Sequence, residues 1–338
     1  MVALDNTVPP DSKNKWITVF KIVLALTLVV ALFFNTSLSQ IVEVFQEITP
    51  GWLAVSVLFF VFVNLLKAWQ YHLLVQDKLP YSRVLNVTLI QNVVSNLLAA
   101  GAGIVSYFAL FTAEHGIKPS RALGMFLLVK MGDLIQIWLF LLVSTWMVWD
   151  RVVFLQPVLI LSLAAIAAGI GFFLAAIFLR QRFLAVFRAV LAALRVDRIS
   201  FVSRLMDALE ALVGSDSQFV RTAMRRAVWG AFVYLLANLF WMYSITRALN
   251  FEIGVLPIVF VSMIQQLISY IPIQVLGGLG VIDASAVYLF SFFGYTSSEL
   301  IPIMLGWRIL YYVMNAGLFV WLLLAGVWGG GKSVEGQP

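Results

Sequence analysis

The chain alternates long apolar blocks with short polar joints. Six blocks are unbroken, at 16–34, 52–75, 122–149, 152–179, 227–249 and 301–328. At about 1.5 Å of rise per residue, each is long enough to cross a hydrocarbon core about 30 Å thick, so each predicts a spanning helix. Two further apolar stretches, 84–112 and 254–294, are interrupted by glycines: Gly101 and Gly103 in the first, Gly278 and Gly280 in the second. Backbone that leaves the helix at membrane depth is tolerated only where protein buries it or water reaches it. These stretches predict re-entrant hairpins, or pairs of very short spans, whose glycines let the chain reverse. The competing reading is that the four glycines only allow close helix packing. The alternation of a membrane β-barrel is absent.

Charge orients the blocks. Nine arginines lie between 180 and 226: Arg180, Arg182, Arg188, Arg195, Arg198, Arg204, Arg221, Arg225 and Arg226. The positive-inside rule makes that segment cytoplasmic. Counting back, 122–149 leaves the cytoplasm, 152–179 returns, and the joint 113–121 with Lys118 and Arg121 is internal. Counting forward from Lys13 and Lys15, 16–34 exits, 35–50 is external and 52–75 returns. Stretch 84–112 therefore begins and ends inside. By the same logic 254–294 enters and leaves from outside, 295–300 is external, and 301–328 comes back in. The expected architecture is an all-α polytopic membrane protein in a single transmembrane domain. It has six spanning helices plus two oppositely oriented re-entrant hairpins, with both termini cytoplasmic. The first block is long for a signal peptide and no Ala-x-Ala site follows it, so it reads as a retained span. Residues 183–194 carry an apolar stripe at helical spacing, including Phe183, Val186, Phe187 and Leu191. The stripe reads either as a helix lying on the inner leaflet or as a connector packed on the bundle.

Composition agrees. Of 338 residues, 62% are hydrophobic and 11% charged, against about a quarter charged in soluble domains. The net charge of +6 is accounted for by internal joints rather than by nucleic-acid binding. There are no cysteines, and the two histidines, His72 and His115, are far apart. No metal cluster, thiol nucleophile or hydrolase motif is present, so neither an enzyme nor a cofactor is expected.

The two interrupted regions match in order. Ile90-Gln91 and Ser95 align with Ile264-Gln265 and Ser269, and Gly101-Ala-Gly103 with Gly278-Leu-Gly280. Further on, Gly116 and Ser120 align with Gly294 and Ser298, and Lys130 with Arg308. This predicts an inverted repeat, with copies at about 84–149 and 254–328, and such repeats point to a binding site near the midplane. Lys130 and Arg308 each lie about 12 Å inside a span, where a charge costs about 2.5–3.5 kcal/mol on insertion scales. Asp133 stands three residues from Lys130, within helical reach. Arg308 has no acid at that spacing. Asp283 beside the glycine turn is its protein candidate, and a lipid phosphate is the other. The alternative is that both cations are structural or snorkel to an interface. Lys67, toward the end of its span, reads as a snorkelling lysine. Gln91, Gln265 and Asn96 can bond either a ligand or a neighbouring helix. Thr296 with Glu299 reads as a capping box opening the last span, with Pro302 in its first turn.

The runs "NLLAAGAG" at 96–103, "GIKPSRAL" at 116–123 and "GGLGVIDA" at 277–284, with Arg308 following, resemble the lysylphosphatidylglycerol synthase transmembrane-region family. The resemblance implies a bacterial inner-membrane protein that binds or flips an anionic or modified lipid. Fuller relatives add a soluble aminoacyl-transfer domain. This chain ends ten residues after its last expected span, so synthase activity is not expected. The first copy departs from the family pattern, with Ala99, Ile104 and Tyr107 where relatives carry proline, an acid and an arginine. The expected function is translocation of an anionic or polyprenyl-linked lipid, whose headgroup meets Lys130, Arg308, Asp133, Asp283, Gly101, Gly103, Gly278, Gly280, Gln91, Gln265 and Asn96. The alternative is a non-transporting lipid-binding partner of a glycosyltransferase or lipid synthase.

Overall fold

The computed structural model describes residues 38–75, 79–193, 217–270 and 276–325, with Thr27, Met206 and Glu210. The expected span 16–34, Thr27 apart, lies outside the described residues, as do Arg195, Arg198 and Arg204 of the basic segment. The described chain is helical. Its helices are α1 (Leu38–Gln46), α2 (Pro50–Val75), α3 (Tyr81–Leu97), α4 (Ala100–Ala109), α5 (Pro119–Met147), α6 (Gln156–Ala193), α7 (Ser217–Ala248), α8 (Val255–Ser269), α9 (Val281–Ser291) and α10 (Ser297–Leu324). Helix α4 runs on into a π turn over Leu110–Glu114.

Five segments are long and apolar enough to cross a membrane: Pro50–Val75, Pro119–Met147, Val153–Leu179, Val220–Ala248 and Ser297–Leu324. They coincide with five of the six expected spans. The glycine-interrupted stretches form shorter apolar helices, Ala100–Glu114, Val255–Ser269 and Leu276–Ser291. At about 1.5 Å per residue, a 15-residue helix such as α8 is about 22 Å long, short of a full crossing.

Each interrupted stretch folds back on itself. In the first, a Cβ on Gly103 would lie 1.7 Å from Ser95 Oγ and 2.7 Å from the Gln91 carbonyl, so α4 lies flat against α3. In the second, Gln265 Nε2 donates to the Ile282 carbonyl at 3.1 Å and the rings of Phe260 and Phe293 pack at 5.9 Å, which pairs α8 with α9.

The reversals differ. In the second pair Gly277, Gly278 and Gly280 all take positive φ, at 63°, 83° and 79°, a region that L side chains rarely enter. In the first pair the expected turn at Gly101 is corrected: the chain turns at Leu98 and Ala99, both at negative φ. Gly101 and Gly103 lie within α4 instead. A stretched Ala99 is enough to redirect the chain there, so no left-handed residue is needed.

Helix α7 wedges between α2 and α5. A Cβ on Gly132 would fall 2.7 Å from the Ala227 carbonyl oxygen, and one on Gly230 would fall 3.1 Å from Gln70 Cγ. Glycine thus sets how closely the three helices cross, and the crossing carries polar residues. One apolar cluster includes Val63 on α2, Ile137 on α5 and Leu235 on α7. A second includes Tyr71, Val129 and Ala227 on the same three helices. The intervening turns hold Lys67, Asp133 and Gly230.

Helix α6 is continuous over 38 residues, yet the Phe172 ring packs 5.2 Å from Phe183 and 4.5 Å from Phe187. Fifteen residues of straight helix would separate Phe172 from Phe187 by about 22 Å. The helix therefore bends back, and Phe183, Leu184, Phe187 and Leu191 join the second apolar cluster. Of the two readings of the 183–194 stripe, packing on the bundle is the one these contacts support. At the start of α10, Glu299 accepts from the Thr296 amide at 3.0 Å and hydroxyl at 2.7 Å, as expected of the cap. Pro302 is the sixth residue of that helix, so it sits in the second turn rather than the first.

Candidate functional site

The turns between the apolar clusters supply a buried polar layer. Lys67 Nζ donates to Asp133 Oδ2 at 2.7 Å and to Gln70 Oε1 at 2.8 Å. Gln70 Nε2 donates to Asp133 Oδ1 at 3.0 Å. Both carboxylate oxygens are therefore occupied, and the lysine and aspartate side chains are 10% and 11% exposed. The Lys67 ammonium also lies over the rings of Tyr234, at 4.5 Å, and Tyr71, at 5.9 Å. Two expectations are corrected here. Lys67 is a buried member of an interhelical ion pair and does not snorkel. Asp133 belongs to Lys67 and not to Lys130, because α2 presents an ammonium directly opposite it.

Lys130 is left in a different state. It is half-buried, with its ammonium 5.7 Å from the Phe126 ring and 5.2 Å from that of Tyr270. Among the described residues it has no hydrogen bond and no carboxylate. Tyr270 sits at the end of α8, so Lys130 faces the reversal of the second helix pair. Close by, the buried Tyr71 hydroxyl and Gln91 side chain face each other, with no other hydrogen-bond partner among the described residues. Aromatic faces attract an ammonium but do not cancel its charge.

Arg308 is neutralised. Its Nε donates to Asp283 Oδ1 at 2.9 Å, its Nη1 donates to the Gly277 carbonyl at 3.0 Å, and its Nη2 lies 2.7 Å from Asp283 Oδ1. The Nη2 contact is an ion pair only, since its N–H bonds are aligned on no acceptor. The second Asp283 oxygen accepts the Gly280 amide at 2.9 Å and so caps α9. The aspartate and arginine side chains are 3% and 4% exposed. Arg308 therefore clamps the glycine turn to α10; of the two partners the sequence left open, Asp283 and a lipid phosphate, the structure shows Asp283. The Tyr312 hydroxyl adds a bond to the Leu276 carbonyl.

The two reversals meet. The Leu276 amide donates to the Leu98 carbonyl at 2.9 Å, and a Cβ on Gly277 would stand 2.9 Å from the Asn96 carbonyl. Asn96 Nδ2 donates to Asn315 Oδ1 at 3.0 Å, tying the first pair to α10. Of the sequence-named residues, the structure gathers Arg308, Asp283, Gly278, Gly280 and Asn96 around this contact. Lys130, Asp133 and Gln91 belong to the adjoining polar layer. Gly101 has open space around it, Gly103 serves close packing, and Gln265 bonds within its own helix pair. Sequence reasoning missed Gln70, Tyr71, Tyr234 and Tyr270. Lys67 was legible: it lies eight residues from the end of α2, the same depth that singled out Lys130. At the polar end of the first pair, burial lowers the pKa of His115 from its ordinary 6.5, opposed by Glu114 and reinforced by Arg83.

Long apolar helices, short paired helices and ion pairs buried between them define a polytopic helical membrane protein. The chain belongs to the family of the lysylphosphatidylglycerol synthase TM region, whose model matches residues 18–318. No curated protein and no solved structure matches it.

Proposed function

We propose that the protein is a lipid translocase of the bacterial inner membrane. It takes an anionic or polyprenyl-linked lipid, binds the headgroup beside the meeting point of the two helix pairs, and carries out no catalytic step. In this reading the pairs are oppositely oriented re-entrant hairpins within six spans, with both termini cytoplasmic. The supporting observation is Lys130, a half-buried cation within an apolar span that no carboxylate neutralises among the described residues. Such a charge is costly unless something pairs with it, and an anionic headgroup fills that role. Arg308 then holds the gate rather than the lipid.

The closed contact between the tips, Leu276 to Leu98, favours one second reading: a static lipid-binding partner of a lipid synthase or glycosyltransferase. Leaflet exchange in proteoliposomes separates the two. Fluorescently tagged phosphatidylglycerol is placed in phosphatidylcholine vesicles, and an impermeant quencher reports its flipping. A translocase exchanges it faster than protein-free vesicles do, and Lys130→Gln slows the exchange. Retention of the lipid without exchange supports the static partner, and neither retention nor exchange refutes both.

A further inference from the structure

Among the described residues, five charged side chains stand around the two tips and the adjoining polar layer, three cationic and two anionic: Lys67, Lys130 and Arg308 against Asp133 and Asp283. Two are consumed in each ion pair, which leaves one positive charge, on Lys130. Neither carboxylate is unpaired. Asp133 gives one to Lys67 and one to Gln70, and Asp283 gives one to Arg308 and one to the Gly280 amide. Among the described residues the site therefore has one unpaired cation and no unpaired carboxylate. The other polar groups beside it, the Tyr71 hydroxyl and the Gln91 amide facing it, are neutral.

Resting on the lipid-binding reading above, we infer that the site selects a lipid whose headgroup is a phosphodiester with a single negative charge. It discriminates against phosphate monoesters and diphosphates. One phosphodiester anion leaves the layer neutral. A monoester brings a second charge, and a diphosphate more, into a site where every other cation is already paired. Desolvating an unpaired charge is what a low-dielectric site penalises most. Among polyprenyl lipids, this assigns the site to a sugar-linked phosphodiester rather than to the free phosphate.

The test is competitive binding to the full-length protein in detergent, read by native mass spectrometry. The lipids form chain-matched pairs: dioleoyl-phosphatidylglycerol against dioleoyl-phosphatidic acid, and a prenyl-phosphate sugar against the same prenyl phosphate. Buffer at about pH 8 keeps monoesters doubly charged, since their second pKa is about 6. The diester is expected to win each pair by at least about tenfold. Lys130→Gln should abolish binding of both. Asp133→Asn frees the charge of Lys67 and should shift the preference toward the monoester. If that variant does not fold, Tyr270→Arg adds a cation at a position 39% exposed and should cause the same shift. A soluble headgroup, glycerophosphoglycerol, should not compete at equal concentration, and competition as strong as the lipid's would overturn the lipid assignment. A wild-type protein that binds monoester as well as diester, while still losing both in Lys130→Gln, overturns the charge count and leaves lipid binding standing. Lipid binding indifferent to Lys130 overturns both.

Discussion

The clamp formed by Arg308 and Asp283 permits a quantitative test. Asp283→Ala removes the carboxylate that pairs with Arg308 and caps α9 at the Gly280 amide. Arg308→Ala removes the cation and the donor to the Gly277 carbonyl. Each side chain is under 5% exposed, so each single variant strands an unpaired charge in the bundle. Breaking one partner of a buried pair costs about 3–5 kcal/mol. Losing the Gly277 bond adds about 1 kcal/mol to the arginine variant. The double variant, Asp283→Ala with Arg308→Ala, strands no charge, and its cost should fall well below the sum of the singles. A coupling of at least about 2 kcal/mol is expected, within the range seen for groups in contact. Stability can be followed by denaturant titration in detergent, read by intrinsic fluorescence of the 11 tryptophans. Additive variants, coupled by less than about 0.5 kcal/mol, would refute the clamp and return Arg308 to the ligand site.

The glycines should separate sharply. Gly132→Ala forces α5 and α7 apart and should cost about 1–3 kcal/mol as overpacking, whereas Gly101→Ala, with nothing within 4 Å, should be neutral or stabilising by about 0.4–1 kcal/mol. Thermal melts of the two variants check this, and equal shifts would contradict the close crossing. Removing Lys67 alone should destabilise the fold more than removing Lys130, because only Lys67 leaves a carboxylate stranded; the same melts decide it. In the cysteine-free chain, Lys118→Cys should resist an impermeant thiol reagent applied outside intact cells, and labelling there would sink the cytoplasmic placement of 113–121. The lowered pKa of His115 means that the folded state holds its proton less tightly than the unfolded state. Its contribution to stability is complete above 6.5 and shrinks as pH falls below that value. His115→Asn should flatten that part of the pH–stability curve, and an unchanged curve would remove His115 as its source.

Apolar block length located five spans to within a few residues, because hydrophobic thickness fixes the length of a crossing helix. The pairing of Arg308 with Asp283 was legible for a similar reason: a buried guanidinium needs an anion, and the glycine turn offers one. What stayed hidden depended on contacts between distant segments. Asp133 looked available to Lys130 at helical spacing, but α2 brings Lys67 to 2.7 Å from it, and spacing along one helix is silent about the helix opposite. The turn at Leu98 and Ala99 escaped because it needs no positive φ and so leaves no glycine signature. The sequence separated block 152–179 from the stripe at 183–194 but left open what the stripe packs on, which only the contact of Phe172 with Phe187 supplies.

The bond from the Leu276 amide to the Leu98 carbonyl belongs to the backbone alone. Alanine scanning passes over it, since no side-chain truncation deletes it. Only an ester in place of the amide removes the donor and spares the turn, since Leu276 has a φ of 49° that proline cannot adopt. Its proton is thus a private reporter. It can trade for deuterium only in the moments when the two tips part, so its exchange rate counts openings directly, whichever cargo passes between them and whether or not any does.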